Sequence, residues 1–303
     1  MSEATNEAYE TYYVPSDSKL PIMASIGIFL TVFGIGNVLN DMTAGAEHSI
    51  GGWILMVGGL LMGTTMFIWF STVIKENHAK MYSQQMNRSF VWGMGWFIFS
   101  EVMFFAAFFG ALFYVRVFGI DWIAGLGNRG PADVVYFENF VPAWPLLNTP
   151  NPELFPGADK PMGWFGLPLV NTILLVSSSV TLTIAHHGIK EGNRKKLITW
   201  LGITVALAVA FLVCQVLEYQ EAYSHLGLTL NAGIYGTTFF LLTGFHGAHV
   251  TLGTFMLAVM LGRAIKGHFS DDDCFGFEAA AWYWHFVDVV WIILFFVVYV
   301  FGS

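Results

Sequence analysis

The sequence predicts an all-α, polytopic membrane protein with seven transmembrane helices. Two observations lead there. Of the 303 residues, 55% are hydrophobic and only 11% are charged, about half the charged share of a soluble domain. Long apolar stretches also recur, and about 20 such residues at helical rise cross a hydrocarbon core of about 30 Å.

The first residues, MSEATNEAYETYYVPSDSK, are polar and acidic, so no cleavable signal segment is expected there. The apolar stretches then run Ile22–Asn40, Ile50–Ile74, Ser89–Val115, Gly163–Ile189, Leu197–Leu217, Ala232–Leu261 and Glu278–Phe301. The first two are joined by a short hinge, Asp41–Ser49. The third and fourth are joined by a long connection rich in Gly, Pro, Asn and Trp, which reads either as a folded lid pressed onto a neighbour at the outer face or as an ordered surface loop. The expected layout is a polar tail over 1–20, spans one and two within 21–75, and spans three to seven within 76–303, with the long outer loop at 116–162.

Loop charge orients the spans, because the cytoplasmic side carries the excess of Lys and Arg. Lys19, Lys75, Lys80, Arg88, Lys190, Arg194, Lys195, Lys196, Arg263 and Lys266 fall on one side, and only Arg116, Arg129 and Lys160 on the other. The N-terminus is therefore expected inside and the C-terminus outside. The net charge of -8 resides in tails and loops, including Asp271 to Asp273, where it serves solubility. The two cysteines, Cys214 and Cys274, lack paired ligand spacing and indicate neither a disulfide framework nor a zinc or copper site.

Ionisable groups inside spans are costly and are default functional candidates. Glu101 lies in FIFSEVMFFAAFFGALF, where an aromatic surround favours a neutral carboxyl able to donate a hydrogen bond or exchange a proton. The alternative is interhelical glue, with Glu101 bonded to Ser100 or to a polar group of a neighbouring helix. His246 and His249, in FHGAH, and His285 and Asp288, in WYWHFVDVV, each stand three apart on one helical face. Two facing helices could share them as one polar cluster, an imidazole donating to a carboxylate. A metal reading has no support from HExxH, EF-hand or spaced-cysteine patterns, so no metal is expected. Glu218, Glu221, His186 and His187 lie near span ends and are expected to be mostly interfacial. Lys75 follows Phe67, Trp69 and Phe70, and Arg263 and Lys266 follow the sixth span. Trp69, Lys75, Arg263 and Lys266 are therefore candidate lipid contacts, since basic groups beside interfacial aromatics suit a phospholipid phosphate; the alternative is that the basic residues serve only to orient the spans.

The segments FSEVMFFAAFF, NTILLVSSSVTLTIAHH, LEYQEAY, GIYGTTFFLLTGFHGAHVTLGT and GFEAAAWYWHFVDVVW resemble, in order and spacing, cytochrome c oxidase subunit III of the haem-copper oxidases. The likeness runs from about Met66 to Ser303; the first span fits by hydropathy only. It implies a chain with no catalytic residue and no redox cofactor of its own. Haem a, haem a3 and copper would lie in partner subunits. This chain would dock directly on subunit I in a complex that also holds subunit II, with cytochrome c as the complex's substrate and no nucleic acid partner. It further implies spans one and two splayed from a five-helix bundle of spans three to seven, with structural phospholipids in the cleft and a route for oxygen. Support of proton uptake is implied as well. Glu101 falls where the family keeps a membrane-buried carboxylate, Lys75 replaces an arginine common at a lipid-phosphate contact, and Arg263 matches a second such contact.

The fourth span departs from the family, reading SSSVT and TIAHH where relatives often carry a glycine and a tryptophan. The long loop points to an aa3-type bacterial enzyme in the plasma membrane. Subunit III of a quinol oxidase shares the FHGxH and WHFVD patterns but is usually a shorter, five-span chain. A stand-alone proton-coupled transporter would use Glu101, His246, His249, His285 and Asp288 as a relay, yet no inverted repeat or broken helix pair is evident.

Overall fold

A computed structural model describes residues 17–44, 50–126, 137, 140–269 and 274–302. Most of the N-terminal tail, most of the hinge at Asp41–Ser49, Arg129 and part of the long loop around it, and the acidic run Asp271 to Asp273 lie outside the described residues. Among the described residues seven helices are long and apolar enough to cross a membrane, and no strand occurs. They are α1 (Leu20–Ala44), α2 (Gly51–His78), α3 (Gln84–Tyr114), α4 (Leu167–Lys190), α5 (Arg194–His225), α6 (Gly233–Lys266) and α7 (Phe275–Leu294).

The third helix runs past the Val115 boundary expected from hydropathy. It continues through a π-helical turn, Val115–Gly119, and one more turn, Ile120–Ile123. Hydropathy stops at Arg116, but an aromatic ladder continues, with Tyr114 against Phe118 and Trp122, and Phe118 against Trp122. Such pairs at i, i+4 support helix where the apolar count has already fallen. The helical turns end at Gly125, which has φ of 72°.

The chain divides into two compact units, Met1–Phe90 and Val91–Ser303. In the first, α1 and α2 pair through glycines spaced seven apart, which keeps them on one face. A Cβ added to Gly34 would lie 2.5 Å from the backbone nitrogen of Leu55, and one added to Gly58 would lie 2.5 Å from that of Thr31. Close backbone approach through small residues is how helices associate where lipid removes the hydrophobic drive. Gly58→Leu is expected to force the pair apart at a cost of about 1–3 kcal/mol or more. Gly59→Leu, with nothing within 4 Å of the added Cβ, serves as the control. Thermal denaturation in detergent should separate the two, and equal melting temperatures would count against the contact.

In the second unit, α4 and α5 form a hairpin whose turn contains Gly192 at φ 64° and Asn193, whose side chain accepts from the backbone N–H of Lys196. Arg194 reaches across to the C-terminus of α6, donating to the carbonyls of Ala264 and Ile265. Every third or fourth residue of α5 is buried, from Leu197, Leu201 and Thr204 through Ala208 and Phe211 to Gln215, Glu218 and Ala222. The core centres on large rings, with Trp284, Trp291, Tyr235 and Tyr283 all at 2% exposure or less.

The described part of the long loop folds back onto this unit, at the end opposite Lys190 and Lys266. The Met162 N–H donates to the Tyr235 hydroxyl at 3.1 Å, and the Asp159 N–H to the Leu226 carbonyl at 2.9 Å. Trp144 and Tyr235 meet edge to face, and the Arg116 guanidinium lies over the Trp144 ring at 5.8 Å. These bonds satisfy loop backbone that would otherwise be stranded beside apolar side chains.

Candidate functional site

Glu101, midway along α3, meets His249 of α6, with 2.8 Å between Oε2 and Nε2. The other ring nitrogen of His249 lies 2.6 Å from the Phe245 carbonyl. A carbonyl only accepts, so Nδ1 carries a proton and donates. Nε2 then either accepts from a protonated Glu101 or, as part of an imidazolium, donates to the carboxylate. In both cases one proton lies between the two atoms and the pair has no net charge. The side chains are 15% and 21% exposed for His249 and Glu101. The wall around them is aromatic: Phe105 stands edge-on to the imidazole at 4.9 Å, and Tyr283 stacks over it at 6.4 Å. Phe104, Phe108 and Phe245 extend that wall along the same α3–α6 seam.

His246 turns elsewhere. It is fully buried, and its Nε2 donates to the Val287 carbonyl of α7 at 3.1 Å. Trp291 packs against its ring at 5.0 Å. Three residues along a helix differ by about 60° around its axis, enough to send His249 to α3 and His246 to α7. The single cluster expected across the sixth and seventh helices is therefore replaced by two separate connections. His285 and Asp288 belong to a third set. They face α4, where Asp288 neighbours Ser179 and His285 neighbours His186. His186 Nε2 is also 3.4 Å from Glu278 Oε1. This seam between α4 and α7 ends at the side of Lys190 and Lys266.

The four residues expected at the interface divide as well. Glu221 and His187 are at the surface, and His186 is part-buried. Glu218 is completely buried, which corrects the interfacial reading. Its carboxylate oxygens lie against Tyr299 and Asn171, and Gln215 stands one turn away on the same face. The signal was present in the spacing, since Glu218 continues the Thr204, Ala208, Phe211, Gln215 stripe that points into the core.

The basic candidates fall on different units, Trp69 and Lys75 on the first and Arg263 and Lys266 on the second. Trp69 is exposed and stacks on Phe70, and Lys75 is exposed in the last turn of α2. Arg263 lies over the Phe269 ring at 4.7 Å, close to the start of α7. A Cβ on Gly276 would come within 2.9 Å of its guanidinium. Lys266 is exposed in the last turn of α6. Among the described residues no three His, Cys, Asp or Glu side chains converge as a metal site.

The family model for cytochrome c oxidase subunit III matches residues 10–151 and 134–303. The chain belongs to the cytochrome c oxidase subunit III family. A cytochrome c oxidase subunit 3 of Prototheca wickerhamii is 37% identical over 96% of this chain and 98% of its own. One from Scyliorhinus canicula is 39% identical over 96% and 97%, and one from Sus scrofa 39% identical over 82% and 85%. As a subunit III family member, the chain is a multi-pass membrane subunit of a cytochrome c oxidase complex, within aerobic respiration. The WYWHFVDVV segment lies within the second matched stretch.

Proposed function

We propose that this chain is a non-redox core subunit of a proton-pumping terminal oxidase. It braces subunit I, which carries haem a, haem a3 and copper, in a complex with subunit II that takes electrons from cytochrome c. The observation that carries this reading is the match along 96% of the chain to a protein named cytochrome c oxidase subunit 3. The membrane would be a bacterial plasma membrane, with the N-terminus cytoplasmic, as loop charge suggests.

The geometry adds two supports. A net-neutral Glu101–His249 pair in an aromatic wall can hold and exchange a proton without burying an uncompensated charge. That suits a subunit that assists proton uptake without doing redox chemistry. The exposed apolar side chains of α3, including Trp92, Trp96, Phe99 and Met103, suit contact with a partner subunit or with lipid. Structural phospholipids would be held on the first unit by Lys75, with Trp69 near it, and on the second by Arg263 and Lys266, and an apolar route would serve oxygen.

Gentle detergent extraction with the tagged chain tests the assignment. Haem-bearing and copper-bearing chains should co-purify, and the chain alone, after dissociation, should show no haem absorbance. Stoichiometric haem on the isolated chain, or purification without oxidase subunits, would overturn the reading. Lys75→Ala and Arg263→Ala are each expected to lower the phospholipid phosphorus retained by the purified complex. Unchanged lipid content with both replaced would remove these residues from lipid binding.

A further inference from the structure

The Glu101–His249 pair leaves Glu218 unused, although among the described residues it is the most deeply buried acid. It is 0% exposed, and so is Asn171; Gln215 is 5% exposed. The Tyr299 hydroxyl donates to Glu218 Oε1 at 2.5 Å. Tyr299 comes from the π-helical turn Phe295–Val300 that ends α7, a widened turn of a kind that gathers at functional sites. It lies inside the core, its ring against Trp291 and Phe239.

The amide of Asn171 stands 3.4 Å from both Gln215 Oε1 and Glu218 Oε2. Those separations exceed the usual range for N–H···O bonds. Two atoms of the same cluster, Asn171 Oδ1 and Gln215 Nε2, make no well-formed hydrogen bond among the described residues, although the Gln215 amide stands close to Glu218 and Tyr299. One is an acceptor and the other a donor, and both side chains are more than nine-tenths buried. A single water would answer both, accepting from Nε2–H and donating to Oδ1, in a site polar enough to hold it.

The charge surroundings bear on the acid itself. Its titratable neighbours are Tyr299 from the end of α7 and Glu221 and Tyr219 from its own helix. From α4 it meets the neutral Asn171, and from α6 Thr243 bonds Tyr219 rather than the acid. No Lys, Arg or His is among these groups, so an ionised Glu218 would be a buried charge without a counter-ion.

We propose that Asn171, Gln215, Glu218 and Tyr299 form an internal site for one water molecule and one proton, with Glu218 kept as the neutral acid. With Oε1 taken by the tyrosine, the acid proton sits on Oε2 and is offered to the water. The site is separate from the Glu101–His249 pair and does not depend on it.

Infrared spectroscopy of the complete oxidase complex at neutral pH tests the proton. The C=O stretch of a protonated carboxyl should be lost in Glu218→Gln and kept in Glu101→Gln. Tyr299→Phe should move that band to higher wavenumber, because one hydrogen bond to the carbonyl oxygen is removed. This variant decides the matter if Glu218→Gln does not assemble. A carboxyl spectrum unchanged by Glu218→Gln, or unmoved by Tyr299→Phe, overturns the proposal. A cryo-electron density map of the same complex tests the water. A peak is expected within about 2.7–3.2 Å of both Asn171 and Gln215. No peak overturns the site, and so does one ringed by oxygens at about 2.3–2.6 Å, which would mean a bound cation instead.

Discussion

Trp284→Ala is expected to lower stability by roughly 3–5 kcal/mol, the cost of deleting a large buried ring and leaving a cavity. Trp284 is 0% exposed, on α7, and its indole N–H donates to Ser178 Oγ of α4 at 2.9 Å. Its ring lies over Gly253 of α6, where an added Cβ would be 2.9 Å away. One side chain thus joins three helices. Trp284→Phe should keep most of the packing and lose the hydrogen bond, costing about 0.5–1.5 kcal/mol for that bond, since the Ser178 hydroxyl still donates to the Leu175 carbonyl. Melting temperatures of the detergent-solubilised complex would check the order. If the two variants melt together, the ring is not the joint between the three helices.

The second large effect is expected at Glu101 and His249. Glu101→Ala strands the His249 Nε2 in a half-buried site and should cost about 1–3 kcal/mol. Glu101→Gln can still donate to that nitrogen through its amide and should cost clearly less if the pair is acid and neutral imidazole. A hydrophobic carbodiimide, which attacks protonated carboxyls in apolar surroundings, should label Glu101 in the intact membrane. His249→Phe, which leaves the carboxyl without its imidazole, should increase that labelling. Labelling that falls on other carboxyls and spares Glu101 would sink the idea of an accessible neutral acid there. Equal destabilisation by the Ala and Gln variants would instead indicate an ion pair.

Much of this molecule could be read directly from its residues, and the reason differs by feature. Span existence is a local property, since an apolar run of sufficient length must be helical in lipid to satisfy its own backbone. All seven stretches were therefore visible, although α3 reaches Ile123 rather than Val115 because aromatic pairs, which hydropathy does not count, extend it. The acids and imidazoles were conspicuous for the same local reason, being costly residues in apolar company. Their partners were not. His246 and His249 share a face by spacing, yet a third helix, α3, takes His249 away.

Glu218 shows the same limit from the other side. Counting residues from the end of the fifth apolar stretch placed it near water, whereas the helix runs on to His225 and the loop before α4 covers that end of the unit. The glycines of α1 and α2 were equally silent, because a close backbone approach exists only once two helices are paired. By itself the sequence determined the class, the seven spans and the family, all of which rest on apolar length and on motif order along the chain. Only the tertiary structure decided which polar group meets which: Glu101 with His249, His246 with the Val287 carbonyl, Glu218 with Tyr299 and Asn171. Those pairings depend on the angular setting of helices far apart in sequence, and a buried polar group takes whatever partner that setting brings within reach.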